Sequence, residues 1–310
     1  MAIFLKEWSE QLKTYNQNIK LAIWANIFSQ IGMGMFMVIY NIYIQELGLK
    51  HDVNGQVIAL TALATAIILV PAGIMSDKLG RKRVMLFGVL LSGIILVLRS
   101  IVEMQSLLLI TGFATGIFTA FLQVSSIPWL AENSNPKQRV HLFSLHSAIM
   151  TAANVVGSLL GGTLTDFFTL FTTDLSAIRY TLIIGSIFYL VAFFPILKMV
   201  EKKKVKVKKE DRLPFREFVK VNKVGFKIIA LFAVAQLLIG FGSGLVIPYL
   251  NLYFADRFAA SNSMIGLIIS LGQAATAVAM FIGPVVVKKV GEVRAVVYLQ
   301  LSSLPFLLLT

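Results

Sequence analysis

The chain has no cysteine, three histidines and few charges, and each shortage excludes a class of function. Without cysteine there is no structural disulfide and no thiolate metal site. His51, His141 and His146, beside 15 scattered carboxylates, argue against a histidine-rich metal centre, so neither metal nor cofactor nor enzymatic chemistry is expected. No Gly-x-x-x-x-Gly-Lys-Ser/Thr loop occurs, which argues against nucleotide-driven work by this chain. Only 14% of the 310 residues are charged, 57% are apolar and the mean hydropathy is +0.81. Soluble domains carry about 25% charged residues. So little polar material cannot cover several water-facing cores, and the chain reads as an all-α membrane protein.

Charged residues bound the apolar runs. The intervals lie between Lys20 and Glu46, Asp52 and Asp77, Arg83 and Arg99, Glu103 and Glu132, Arg139 and Asp166, Arg179 and Lys198, Lys227 and Asp256, and Arg257 and Lys288. A helix crosses a hydrocarbon layer about 30 Å thick with about 20 residues, so these predict eight spans. A ninth begins after Arg294 and reaches Thr310, the last residue of the chain. The third interval has only 15 residues. Arg99 must therefore either reach the outer interface along its stem, which is the commoner solution, or face protein inside the membrane.

With the N-terminus inside, 24 of the 28 Lys and Arg residues fall on one side, leaving that side at +15 and the other at −2. The positive-inside rule makes the basic side cytoplasmic. The net +13 then reflects topology and attraction to anionic lipids at the cytoplasmic face, not a nucleic-acid surface. Residues 1–19 are too polar for a signal-peptide core. Leu5, Trp8, Leu12 and Tyr15 share one helical face there, as in an interfacial helix on the inner leaflet. The expected organisation is that helix, a six-helix bundle over 20–198, a basic linker over 199–224, and a partial second bundle over 225–310.

The two sides of the linker resemble one another. Gly32-Met-Gly34 and Asn41-Ile-Tyr43 in span one return as Gly242-Ser-Gly244 and Asn251-Leu-Tyr253 in span seven, 210 residues on. Internal repeats in parallel halves are a design of secondary transporters. A full second half would end at about residue 400, so the chain is expected to stop short of spans ten to twelve.

After span two comes Gly73-x-x-x-Asp77-x-x-Gly80-Arg81-Lys82-Arg83. Gly73 permits close approach of a neighbouring helix, and Gly80 permits the positive φ of a tight turn. Asp77 can cap an adjacent helix or pair with a nearby Arg, and the basic triplet can anchor the turn at anionic headgroups. A degenerate copy lies at Lys288, Gly291 and Arg294. This loop resembles the signature of the major facilitator superfamily, and the resemblance covers the whole chain. Ala131-Glu132 through Pro136 and Arg139 is similar to the acidic-Pro-Arg element that follows span four in many members. The resemblance implies that Asp77, Arg81 and Glu132 join a cytoplasmic charge network that locks two bundles in the outward-facing state. In span five, Gly157-Ser158-x-x-Gly161-Gly162 is similar to the antiporter motif of the family's drug and proton exchangers, with Ser158 in place of Pro.

Polar residues inside the spans mark either a cavity or a helix contact. Ser144, Ser147, Thr151, Asn154, Ser158 and Thr165 share one face of span five, and Asn26, Gln30, Met33 and Met37 one side of span one. Thr111, Thr115, Thr119 and Gln123 step along span four, and spans seven and eight offer Gln236, Asn251 and Gln273. As substrate-binding candidates Asn26, Gln30, Met33, Gln123, Thr151, Asn154, Gln236 and Asn251 suit a small, largely apolar or amphipathic molecule, with methionine supplying adaptability. No Asp or Glu stands in the middle of a span, and Glu132, Asp166 and His146 are the nearest titratable groups. The expectation is a monomeric alternating-access transporter working as a proton-coupled exporter. The alternative is a truncated, non-transporting fragment.

Overall fold

The computed structural model describes residues 14–201 and 223–291, with 294, 295, 297, 298, 301 and 302 beyond them. Most of the interfacial helix, the middle of the linker and most of the ninth span lie outside the described residues. The described residues are helical throughout, without a strand. The helices are α1 (Gln17–Glu46), α2 (His51–Leu79), α3 (Arg81–Ile101), α4 (Gln105–Asn133), α5 (Pro136–Thr169), α6 (Asp174–Val191) and α7 (Phe193–Lys198). After the linker come α8 (Lys223–Val246), α9 (Leu250–Phe258) and α10 (Asn262–Val290). In lipid the backbone must satisfy itself, which is why apolar runs of this length become helices. Among the described residues seven segments are long and apolar enough to cross a membrane, and α10 occupies the eighth interval.

Helix ends depart from the charge boundaries in instructive ways. α1 starts at Gln17, because Asn16 caps it by accepting from the Ile19 amide at 2.9 Å. Tyr15, expected on the interfacial helix, is 5% exposed and bonds His141 Nδ1 at 3.0 Å. α3 does not stop at Arg99 but runs to Ile101. The Arg99 side chain turns into the protein, with its guanidinium carbon 3.9 Å from the Tyr40 ring centre. The expected reach to the outer interface is therefore replaced by burial over an aromatic face, which disperses the charge. The seventh span is broken: a 3-10 turn at Ile247–Tyr249, carrying Pro248, separates α8 from α9.

Glycines set how closely the helices meet. A Cβ on Gly32 would stand 2.4 Å from the Gly185 carbonyl oxygen of α6, and one on Gly34 2.5 Å from that of Asn154 of α5. On α5 itself, a Cβ on Gly157 would lie 2.2 Å from the Ile31 carbonyl oxygen. α1 is thus pinned between α5 and α6, backbone against backbone, as membrane helices do when lipid removes the hydrophobic drive between them. α2 and α4 are joined in the same way, with Thr61 and Thr65 donating to the Gly112 and Gly116 carbonyls at 3.0 and 3.1 Å.

The turn after α2 behaves differently from its neighbours. Gly80 has φ +104°, the conformation foreseen for it, and Gly291 repeats it at +84° after α10. Gly73, expected to admit a close helix, has no atom of the described residues within 4 Å of its Cβ position. Gly157→Ala should therefore destabilise the folded protein by about 1–3 kcal/mol, since backbone has to move. Gly73→Ala should stay within about 0.5 kcal/mol of the parent. Unfolding midpoints of the two variants in detergent check this, and equal midpoints would refute it.

Candidate functional site

α1, α4, α5 and α6 enclose a cavity of about 520 Å³. Its polar wall is Asn26, Gln30, Gln123, His146 and Asn154, and its adaptable apolar wall includes Met33, Met37 and Met150. The amides are already organised. Asn26 donates to the Ala22 carbonyl at 2.8 Å and accepts from Ser126 Oγ at 3.3 Å, while Asn154 Nδ2 donates to Gln30 Oε1 at 3.4 Å. His146 is 7% exposed and its Nε2 has no hydrogen-bond partner. A second cavity of about 290 Å³ shares Gln30, Met150 and Asn154 and adds Thr151, with Gln273 and Thr276 from α10. The space thus lies between the first six helices and the eighth span.

The polar face of span five divides among three uses. Thr151 and Asn154 line the cavities. Ser158 is fully buried against α10, where its Oγ accepts from Gln273 Nε2 at 3.5 Å. Thr165 donates to the Gly161 carbonyl at 2.8 Å and to Thr181 Oγ1 of α6 at 3.0 Å. Within the motif similar to that of antiporters, Gly157 and Gly161 lie against α1, and Gly162 against the Asn262 carbonyl of α10. The threonines of span four donate to carbonyls four residues back, and of them only Thr119 lines the larger cavity. Gln236 is exposed and lines none of these cavities. Asn251 is 1% exposed and belongs to a contact at the far end, opposite the basic loops.

That contact is reciprocal. Asn41 Nδ2 donates to the Pro248 carbonyl at 2.5 Å and to Asn251 Oδ1 at 3.1 Å, and Asn251 Nδ2 donates to the Val38 carbonyl at 2.8 Å. Positions 38 and 248 are related by the same 210 residues as 41 and 251, so each half binds the other through equivalent atoms. The break at Pro248 presents the carbonyl that Asn41 uses. Gln45 Nε2 donates to Asp256 Oδ1 at 2.7 Å beside it. On the other flank Asp166, at the end of α5, caps α10: it accepts from the Asn262 and Ser263 amides at 3.1 and 2.8 Å and from Asn262 Nδ2 at 2.9 Å. A carboxylate at a helix N-terminus is favoured by the helix dipole.

At the basic end, Arg81 Nη2 lies 3.0 Å from Asp77 Oδ1 and 2.8 Å from Glu132 Oε1, so these three residues meet. Glu201, which the sequence places in the solvated linker, joins them by accepting from the Arg81 amide at 2.6 Å. Its carboxylate fills the space beside Gly80, where a Cβ would stand 2.7 Å from Oε2. Within the basic triplet Lys82 donates to the Leu197 carbonyl at 2.8 Å, and Arg83 is exposed. Arg139, in the first turn of α5, keeps Nε buried without a partner. Among the described residues no cluster of His, Cys, Asp or Glu could hold a metal ion. The sequence did not single out Tyr40 or Glu201, whose roles depend on what the fold sets beside them.

Residues 22–310 match the model of the Major Facilitator Superfamily. The chain is 27% identical to an uncharacterized MFS-type transporter of Methanocaldococcus jannaschii, covering 80% of this chain and 63% of that one. It is 23% identical to the quinolone resistance protein NorA of Staphylococcus aureus, over 78% of this chain and 60% of NorA. Identity to the multidrug resistance protein MdtG of Proteus mirabilis is 25%, over 81% and 61%. The chain thus spans about six-tenths of the length of these relatives. Its fold matches a bacterial homologue of the human lysosomal transporter Spinster, solved inward-facing and unoccupied, at a TM-score of 0.66 and 15% identity over 87% of this chain and 62% of that one. The nucleoside transporter NupG matches at 0.68 and 16%, over 89% and 69%. With the family model spanning both sides of the linker, the chain belongs to the Major Facilitator Superfamily.

Proposed function

We propose that this protein is a secondary active transporter that carries a small, largely apolar or amphipathic compound across the cytoplasmic membrane by alternating access. It works in the direction of efflux and is coupled to proton antiport. The observation that carries this reading is the cavity of about 520 Å³, lined by amides and methionines and set below a reciprocal contact of the two halves. With the basic loops on the cytoplasmic side, the Asn41–Asn251 contact and the Asp166 cap lie at the outer end. The arrangement is then one in which outer access is closed. Resemblance to resistance proteins supports efflux, and the motif at Gly157 to Gly162 supports antiport. His146 lines the cavity and offers a titratable imidazole there. The transporter works as a monomer, and Lys82 and Arg83 keep the loop near anionic lipids.

The direct test is a full-length chain in proteoliposomes, with an imposed pH gradient and a panel of lipophilic dyes. Gradient-dependent uptake of some dyes is expected, and a flat response across the panel would refute multidrug export. Asp77→Asn should lower the transport rate at least about tenfold, equivalent to about 1.4 kcal/mol, with expression retained. Near-normal transport would remove Asp77 from the gate. Asp166→Ala removes a helix cap worth about 1 kcal/mol, so the outward-open population should rise about fivefold. Labelling of Met37→Cys by an impermeant thiol reagent from outside reads that shift, and residues 1–310 contribute no background because they hold no cysteine.

A further inference from the structure

Arg99 stands two residues before the end of α3, 7% exposed, stacked on the ring of Tyr40. Among the described residues the ring face is what eases its charge. Among the described residues no carboxylate lies within ion-pair distance of it, and its Nε has no hydrogen-bond partner. The nearby carboxylate of Glu103 is taken by Arg179. Tyr40, 6% exposed, has a hydroxyl that is also buried without a partner. Both side chains line a cavity of about 200 Å³ whose remaining wall is chiefly apolar. Met33 and Met37 belong to this cavity and to the larger one, so the two adjoin.

An ionised group inside a membrane protein needs a partner, because its desolvation is otherwise unpaid. Stacking on an aromatic ring eases the cation and leaves the edge of the planar guanidinium free, which is the fork that matches a carboxylate. We propose that the missing partner is the substrate: the site takes an amphipathic monoanion, with its carboxylate at Arg99 and the Tyr40 hydroxyl. Its apolar body extends past Met33 and Met37 into the larger cavity. No carboxylate among the residues lining either cavity repels such a ligand. This sharpens the substrate class from amphipathic to anionic, and it rests on the transport reading for its meaning but not for its test.

The test uses a matched pair of ligands, radiolabelled naphthoate and naphthamide, which share a shape and differ by one charge. Equilibrium binding is measured on the solubilised full chain in chloride-free zwitterionic buffer at low ionic strength. The parent should bind naphthoate at least about tenfold more tightly than naphthamide. Arg99→Gln should bring that ratio close to one, Arg99→Lys should keep part of it, and Tyr40→Phe should lower it about threefold. Equal binding of the two by the parent, or an unchanged ratio in folded Arg99→Gln, overturns the proposal. Should Arg99→Gln fail to fold, an unchanged ratio in both Arg99→Lys and Tyr40→Phe overturns it instead. Chloride binding with no preference for naphthoate assigns the site to an inorganic anion and overturns it too. Proteoliposome uptake separates the two readings. A binding preference with transport of neither ligand refutes the transporter alone, whereas transport without preference refutes the anion site alone.

Discussion

The structure hangs on the close packing of α1 against α5 and α6. In lipid there is no gain from hiding apolar surface, so helices are held by van der Waals contact and by whatever polar groups they share. Gly32, Gly34 and Gly157 bring the backbones to a distance at which a single methyl would collide with a carbonyl oxygen. That fixes the rotation of α1 and, with it, which of its residues look inward. Asn26, Gln30, Met33 and Met37 face the cavity because the glycines face the neighbouring helices. The same rotation points Asn41 at the seventh span and Tyr40 at Arg99.

Much of the fold was legible in the sequence because charge is expensive in lipid and so marks where spans end. The rule misreads a boundary wherever the protein itself receives a charge. α3 continues past Arg99 because Tyr40 offers its ring face, and nothing in the order of residues shows which aromatic side chain will stand there. α1 begins before Lys20 because the Asn16 cap, not the first charge, decides where helix starts. The break in the seventh span was not anticipated: it falls at Pro248 and hands a carbonyl to Asn41.

For the candidate site, helical periodicity groups polar residues by face but cannot divide a face among its uses. A polar residue facing a cavity and one facing another helix obey the same rule, that a polar group in lipid needs a partner. Asn154 and Ser158 stand one turn apart on α5; the first bonds Gln30 in the cavity wall and the second is closed in by α10. Asn26 and Asn251 are both buried, one in the cavity wall and one in a contact between halves. The Asp77, Arg81 and Glu132 meeting was foreseeable from a motif, whereas Glu201 reached it from a segment with no pattern of its own.

The Asn41–Asn251 contact has the form of a twofold dimer interface whose two copies have been joined on one chain. In such an interface residue i meets j and j meets i, so every change is felt twice in a true dimer. Joining the copies halves that penalty, since a substitution at position 41 leaves the Asn251 bond to the Val38 carbonyl available. The seam can therefore lose its symmetry one side at a time. The cavity beside it can become chemically lopsided, with Arg99 the one cation among its described lining residues, while the contact made from the other half still holds.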